Sequence, residues 1–191
     1  MKVRTLVMMA GILAGGAAQA ETPDVDALLK PCVACHGTDG ISSAAHIPHL
    51  NGQLASYLRD DLSALVQGRR KTSVVNHIPA AWGIAEINAV ARFYETRQAQ
   101  RPPQPVDAQK VELGEVIYQR RCAECHPDSG RASEFDSPLM AAQNIPYLIN
   151  EMRLFVSGER KFVYKMDEAF HGLSMQDLEA VAHFFASQPQ H

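Results

Sequence analysis

Residues 32–36 read CVACH and residues 122–126 read CAECH. These stretches hold all 4 cysteines of the chain, each pair separated by two residues and followed at once by a histidine. C-x-x-C-H is the spacing of covalent haem attachment. Two thiols about one helical turn apart reach the two vinyl groups on one edge of a porphyrin and form thioethers. The next residue then lies under the ring and offers an imidazole nitrogen to the iron. Other uses of a C-x-x-C pair fit less well. A disulfide-exchange pair sits on a βαβ pattern, and no convincing strand pattern is present. A zinc ribbon keeps its pairs within ~15–20 residues of each other, whereas these lie in opposite halves of the chain. A disulfide framework leaves the histidine after both pairs unexplained.

The start of the chain agrees with that chemistry. Residues 1–20, MKVRTLVMMAGILAGGAAQA, open with Lys2 and Arg4, continue through an apolar run and end in Ala18-Gln19-Ala20. This is the pattern of a secretory signal cleaved after Ala20. As a membrane anchor the run is too short and too rich in Ala and Gly. The mature chain is expected in the periplasm, without a transmembrane anchor, where haem is joined to such motifs. With 18 Lys+Arg against 21 Asp+Glu the net charge is −3, and loss of Lys2 and Arg4 makes it more acidic. That balance argues against nucleic acid and leaves redox protein partners of basic or apolar surface.

Shifting the sequence by 90 positions lays the first motif on the second and reveals an internal duplication. Gln53 then falls on Gln143, Tyr57-Leu58 on Tyr147-Leu148, Gly68 on Gly158 and Arg70 on Arg160. Near the end of each half the shift becomes 91, bringing Tyr94 onto Phe185. Residues 98–106, QAQRPPQPV, carry no apolar periodicity and read as a Pro-rich linker between domains at 21–97 and 107–191. Each domain repeats a helical layout. A first helix leads into C-x-x-C-H (about 24–35, bent at Pro31, and 107–125). A second covers about 54–67 and 145–157, where Leu54, Tyr57, Leu58, Leu62 and Leu65 make one apolar stripe. Gly68 and Gly158 are placed to end these helices. A third covers about 84–96 and 175–187, the latter opened by a Ser174/Asp177 capping box. The expected fold is all-α. The loops around 37–51 and 127–143 are too long for a compact domain unless they wrap a ligand.

These residues resemble the class I cytochromes c, in particular the two-domain dihaem type of cytochrome c4 and the cytochrome subunit of flavocytochrome c sulfide dehydrogenase. The resemblance spans nearly all of 24–187 and rests on CVACHGTDG, IPHLNGQLASYL and LVQGRR, then CAECH, AAQNIPYL and SGERKFVYKM. It implies two tandem cytochrome c domains, each of three to four helices around one of two covalently bound haem c groups. Cys32, Cys35, Cys122 and Cys125 would carry the thioethers, and His36 and His126 would bind iron. It also implies Met166 as second ligand of the C-terminal iron, and Arg70 and Arg160 near haem propionates.

Methionine usage separates the halves. Beyond the signal, Met140, Met152, Met166 and Met175 all lie in the second half. Met140 reads as a loop-packing residue, Met152 as part of the helical stripe and Met175 as the start of the last helix. Met166 lies where a loop can reach the open haem face, and a thioether there stabilises Fe(II). The first half has Asn76 or Val75 at that position, so His77 is the expected sixth ligand. The alternative leaves the first iron open or water-bound. His46 and His49 are further candidates for that ligand but read first as surface residues, as do His171, His183 and His191, and Trp82 reads as packing on the haem or last helix.

The function expected is one-electron transfer between redox partners, by a carrier rather than an enzyme. Unequal sixth ligands would bring electrons in at the N-terminal haem and out at the C-terminal one. The alternatives are a cytochrome subunit bound to a sulfide-oxidising flavoprotein and a haem enzyme with an open N-terminal site.

Overall fold

The computed structural model describes residues 23–70, 78–163 and 165–190. The signal at residues 1–20 and the candidate ligand His77 lie outside the described residues. The first half builds α1 (Val25–His36), α2 (Ala55–Val66) and α3 (Ile84–Glu95). The second builds α4 (Ala108–Arg121), α5 (Ile145–Val156), the short α6 (Met166–Phe170) and α7 (Met175–Ser187). No strand occurs among the described residues. In each half the first two helices pack on the last: α1 and α2 on α3, α4 and α5 on α7.

Local chemistry sets the helix ends. Asp24 Oδ1 accepts from the amides of Asp26 and Ala27 at the start of α1, and Asp107 does the same for Gln109 and Lys110 in α4. The capping box read at Ser174 is present: Ser174 Oγ accepts from Asp177 N, and Asp177 Oδ2 from Ser174 N. Leu54 and Asn144 supply no side-chain cap to α2 and α5. Distant residues do so instead, with Glu95 accepting from Ala55 N at 2.8 Å and Gln104 from Ile145 N at 3.0 Å. Gly68 and Gly158 follow these two helices in the left-handed conformation, at φ +68° and +74°.

Two elements depart from the sequence reading. The helix expected to run to Cys125 stops at Arg121. There Tyr118 O takes both Cys122 N and Ala123 N, and the second motif continues as a turn. His126 precedes Pro127, which disfavours helical backbone at the histidine, whereas His36 precedes Gly37 and α1 runs through its motif. The segment before α7, read as a loop, contains α6.

The halves join across a pseudo-two-fold. The Gln53 side chain bonds both Leu139 N and Leu139 O, and the Gln143 side chain bonds both His49 N and His49 O, at 2.8–3.0 Å. These are equivalent pairs of the duplication. The linker is not a plain spacer. Its Arg101 is buried, and donates from Nη1 to Ala141 O at 2.8 Å and from Nη2 to Asn51 O at 3.2 Å. Those carbonyls are also equivalent positions, so one guanidinium sits astride the seam. Burial lowers its pKa to about 10.

Candidate haem sites

Both C-x-x-C-H motifs line one cavity of about 1170 Å³. In the first motif Cys32 is buried and Cys35 exposed; in the second, Cys122 and Cys125 are both half-buried. Burial raises the Cys122 thiol to about 12. No disulfide joins any two of the four cysteines. The two imidazoles are held alike. His36 Nδ1 lies 3.0 Å from Pro48 O and His126 Nδ1 3.1 Å from Pro138 O. A carbonyl only accepts, so each ring carries its proton on Nδ1 and its basic lone pair on Nε2. Such a bond orients a metal-binding ring and raises its basicity. Enclosure pushes His126 down to about 4, so the ring is neutral, as a ligand must be.

The walls come from the apolar stripes. Leu58, Leu62, Val90 and Tyr94 face the cavity from the first half; Leu148, Met152, Leu178 and Phe185 do so from the second. A serine hydroxyl ties each loop to its motif: Ser42 Oγ donates to Cys35 O, and Ser137 Oγ to Cys125 O. In the second half Tyr118 adds a further anchor, accepting from Ser129 N at 2.8 Å and donating to His126 O at 2.9 Å. Paired thiols, an oriented imidazole and apolar walls fit a covalently held porphyrin in both halves.

Met166 opens α6, is half-buried and lines the same cavity. Its segment is pinned by aromatic contacts. Phe162 stacks on Phe155 of α5 with centroids 5.1 Å apart, and meets Phe170 edge-on at 5.1 Å. The duplication puts Thr72 and Pro79 in place of Phe162 and Phe170, so the first half has no such stack to form. Met152 is buried, Met140 and Met175 pack against the second core, and Trp82 packs on the first.

Two histidines are placed differently from the reading. His49 is a core residue at 1% exposure, not a surface one. Gln143 binds its backbone on both sides, and its Nδ1 accepts from Ser42 N at 3.1 Å. His183 is half-buried, with Nδ1 accepting from Asp107 N. His46 and His171 are exposed as expected.

Asp61 and Glu151, which no motif singled out, are the carboxylates that hold the repeated arginines. Arg70 pairs with Asp61 and Glu151, and so does Arg160. The signal was present: each carboxylate lies four residues after a repeated tyrosine, Tyr57 or Tyr147, on the same helix face.

No family model matches the chain. Cytochrome c-554(548) of Halomonas halodenitrificans is 39% identical over 70 residues, 35% of this chain and 84% of that protein. A thiosulfate dehydrogenase electron acceptor of Stutzerimonas stutzeri is 28% identical over 174 residues, 83% of this chain and 79% of that one. The fold matches the crystal structure of reduced recombinant cytochrome c4 from Pseudomonas stutzeri with a TM-score of 0.77. That match has 21% identity and covers 89% of this chain and 100% of the other. The chain belongs to the c-type cytochromes, electron-transfer proteins that hold haem c covalently. Within that family it is of the cytochrome c4 type, with two cytochrome c domains in tandem.

Proposed function

We propose that the protein is a periplasmic carrier that takes single electrons from a sulfur-oxidising dehydrogenase and passes them to a second redox protein. Two haem c groups would be held, one through Cys32 and Cys35 and one through Cys122 and Cys125, with His36 and His126 each offering an imidazole nitrogen to the iron. When bound, each haem supplies a one-electron Fe(III)/Fe(II) change. Met166 would supply the sixth ligand of the second iron and His77 that of the first. Residues 1–20 are removed on export, and 98–106 separate domains at 21–97 and 107–191. The donor class comes from the relative named as an electron acceptor of thiosulfate dehydrogenase.

The observation that carries this reading is the pair of Nδ1–carbonyl bonds, His36 to Pro48 and His126 to Pro138, on the wall of one cavity. Each orients its ring in the same way, which supports both histidines as ligands. Met166 shares the cavity and is held by the Phe155–Phe162–Phe170 stack. Unequal sixth ligands make the second centre the higher in potential, because a thioether stabilises Fe(II) more than an imidazole does. Electrons then enter at the first haem and leave from the second.

Mass spectrometry of the exported protein tests the cofactor count, expected at two porphyrins on a chain starting at Glu21. A redox titration of wild type and Met166→His tests the ligand. The higher of two potentials should fall in the variant while the lower stays. Two equal potentials in the wild type, or no effect of the substitution, would overturn the assignment.

A further inference from the structure

Arg70, Arg160, Asp61 and Glu151 form a closed, crossed set. Arg70 belongs to the first half, yet donates to Glu151 of the second at 3.0 Å as well as to its own Asp61. Arg160 belongs to the second half, yet donates to Asp61 of the first at 3.2 Å as well as to its own Glu151. The repeated tyrosines cross too: Arg70 Nη2 reaches Tyr147 Oη and Arg160 Nη2 reaches Tyr57 Oη, each at 3.4 Å. The four charged side chains are only 10–15% exposed, and all six residues line the cavity that both C-x-x-C-H motifs share.

Two cations and two anions cancel, so the set sits neutral in a weakly screened place. Each half brings one cation and one anion, yet every carboxylate is held by both guanidiniums, so the pairing crosses the seam. Charges at such low exposure act over longer distances than surface charges. A change at any member therefore reorganises bonds on both sides of the seam.

We infer that Asp61, Glu151, Arg70 and Arg160 act as one electrostatic unit that tunes both redox centres together. This rests on the two-haem reading of the cavity. Loss of a carboxylate leaves the cavity more positive, which favours Fe(II) over Fe(III) and raises a potential. Loss of an arginine does the reverse. Because the bonds cross, the two centres should respond together rather than one by one. The four are positioning residues, acting through the field at the irons.

The test is a spectroelectrochemical titration of the holoprotein, with haem content counted by mass for every variant. Two titrating centres in wild type uphold the two-haem reading whether or not any variant shifts them. Asp61→Asn and Glu151→Gln should each raise both potentials, and Arg70→Gln should lower both. Asp61→Asn combined with Glu151→Gln should shift them by an amount unequal to the sum of the single shifts, since members of one network do not add. A single potential moving in each variant, additive shifts in the double, or no shift at all would overturn the inference. If the neutral variants fail to retain haem, Arg70→Lys serves instead: it keeps the charge but loses the planar fork. With the charge kept the shift is smaller, set by the two carboxylates the side chain no longer bridges, and should still appear at both potentials; movement of one alone, or of neither, overturns the shared unit.

Discussion

The two halves share a layout and differ in how far each supports itself. In the second half α4 is long enough to cross α7, and the crossing is close. A Cβ built on Gly114 would lie 2.1 Å from Ala180 O and 2.8 Å from Phe184 Cβ. Its core runs from Ile117 and Tyr118 through Leu148 and Met152 to Phe184 and Phe185. In the first half the position equivalent to Gly114 is Asp24, the cap that starts α1, so no matching crossing forms. Its buried core is Leu29, Leu58, Val90, Ala91 and Tyr94. Duplication has kept the ligand-facing stripe in both halves and the self-supporting core in one. The first half depends on what fills its cavity and on the seam; the second has packing of its own.

The sharpest way to break this comparison is to remove one tether at a time. Cys32→Ala/Cys35→Ala should strip hydrogen-exchange protection from α1, α2 and α3, because a core that small supplies no more than ~3–5 kcal/mol. Cys122→Ala/Cys125→Ala should leave α4 and α7 measurably protected. Equal loss in both halves would remove the distinction. A smaller effect is expected at the helix crossing. Gly114→Ala forces α4 away from α7 and should cost about 1–3 kcal/mol, as overpacking does. Hydrogen exchange should confine that loss to the second half.

The last effect concerns the seam and shows only as pH falls. Burial lowers His49 from 6.5 to about 4, with Arg101 and His36 adding positive charge nearby. The folded protein therefore keeps this ring neutral. The stability it contributes is present above pH 6.5 and is lost as pH falls toward 4. His49→Leu installs the residue found at the equivalent position 139. It should flatten the pH dependence of unfolding in that window by up to one proton, or ~1.4 kcal/mol per pH unit. An unchanged slope would show that the ring titrates outside that window.

Much of this was legible before folding. The C-x-x-C-H spacing, the stripe from Tyr57 to Leu65, the Ser174 capping box and the 90-residue shift are all relations between near neighbours or exact repeats. α6 was missed because five residues show no periodicity, and its anchoring stack joins Phe162 and Phe170 to Phe155 on another helix. His49 was misplaced because a polar residue in a loop motif looks solvated until Gln143 from the other half is seen bonding its backbone.

By itself the sequence determined the covalent chemistry and the helical register, since both depend on spacing along a few residues. Only the tertiary structure decided which charges meet. Asp61 and Glu151 are two among 21 acidic residues, and nothing local distinguishes Arg70's own partner from its crossed one. Arg101 likewise reads as an ordinary linker arginine. Its place between Asn51 O and Ala141 O comes from the pseudo-two-fold, which brings equivalent carbonyls together at a point that no stretch of chain encodes alone.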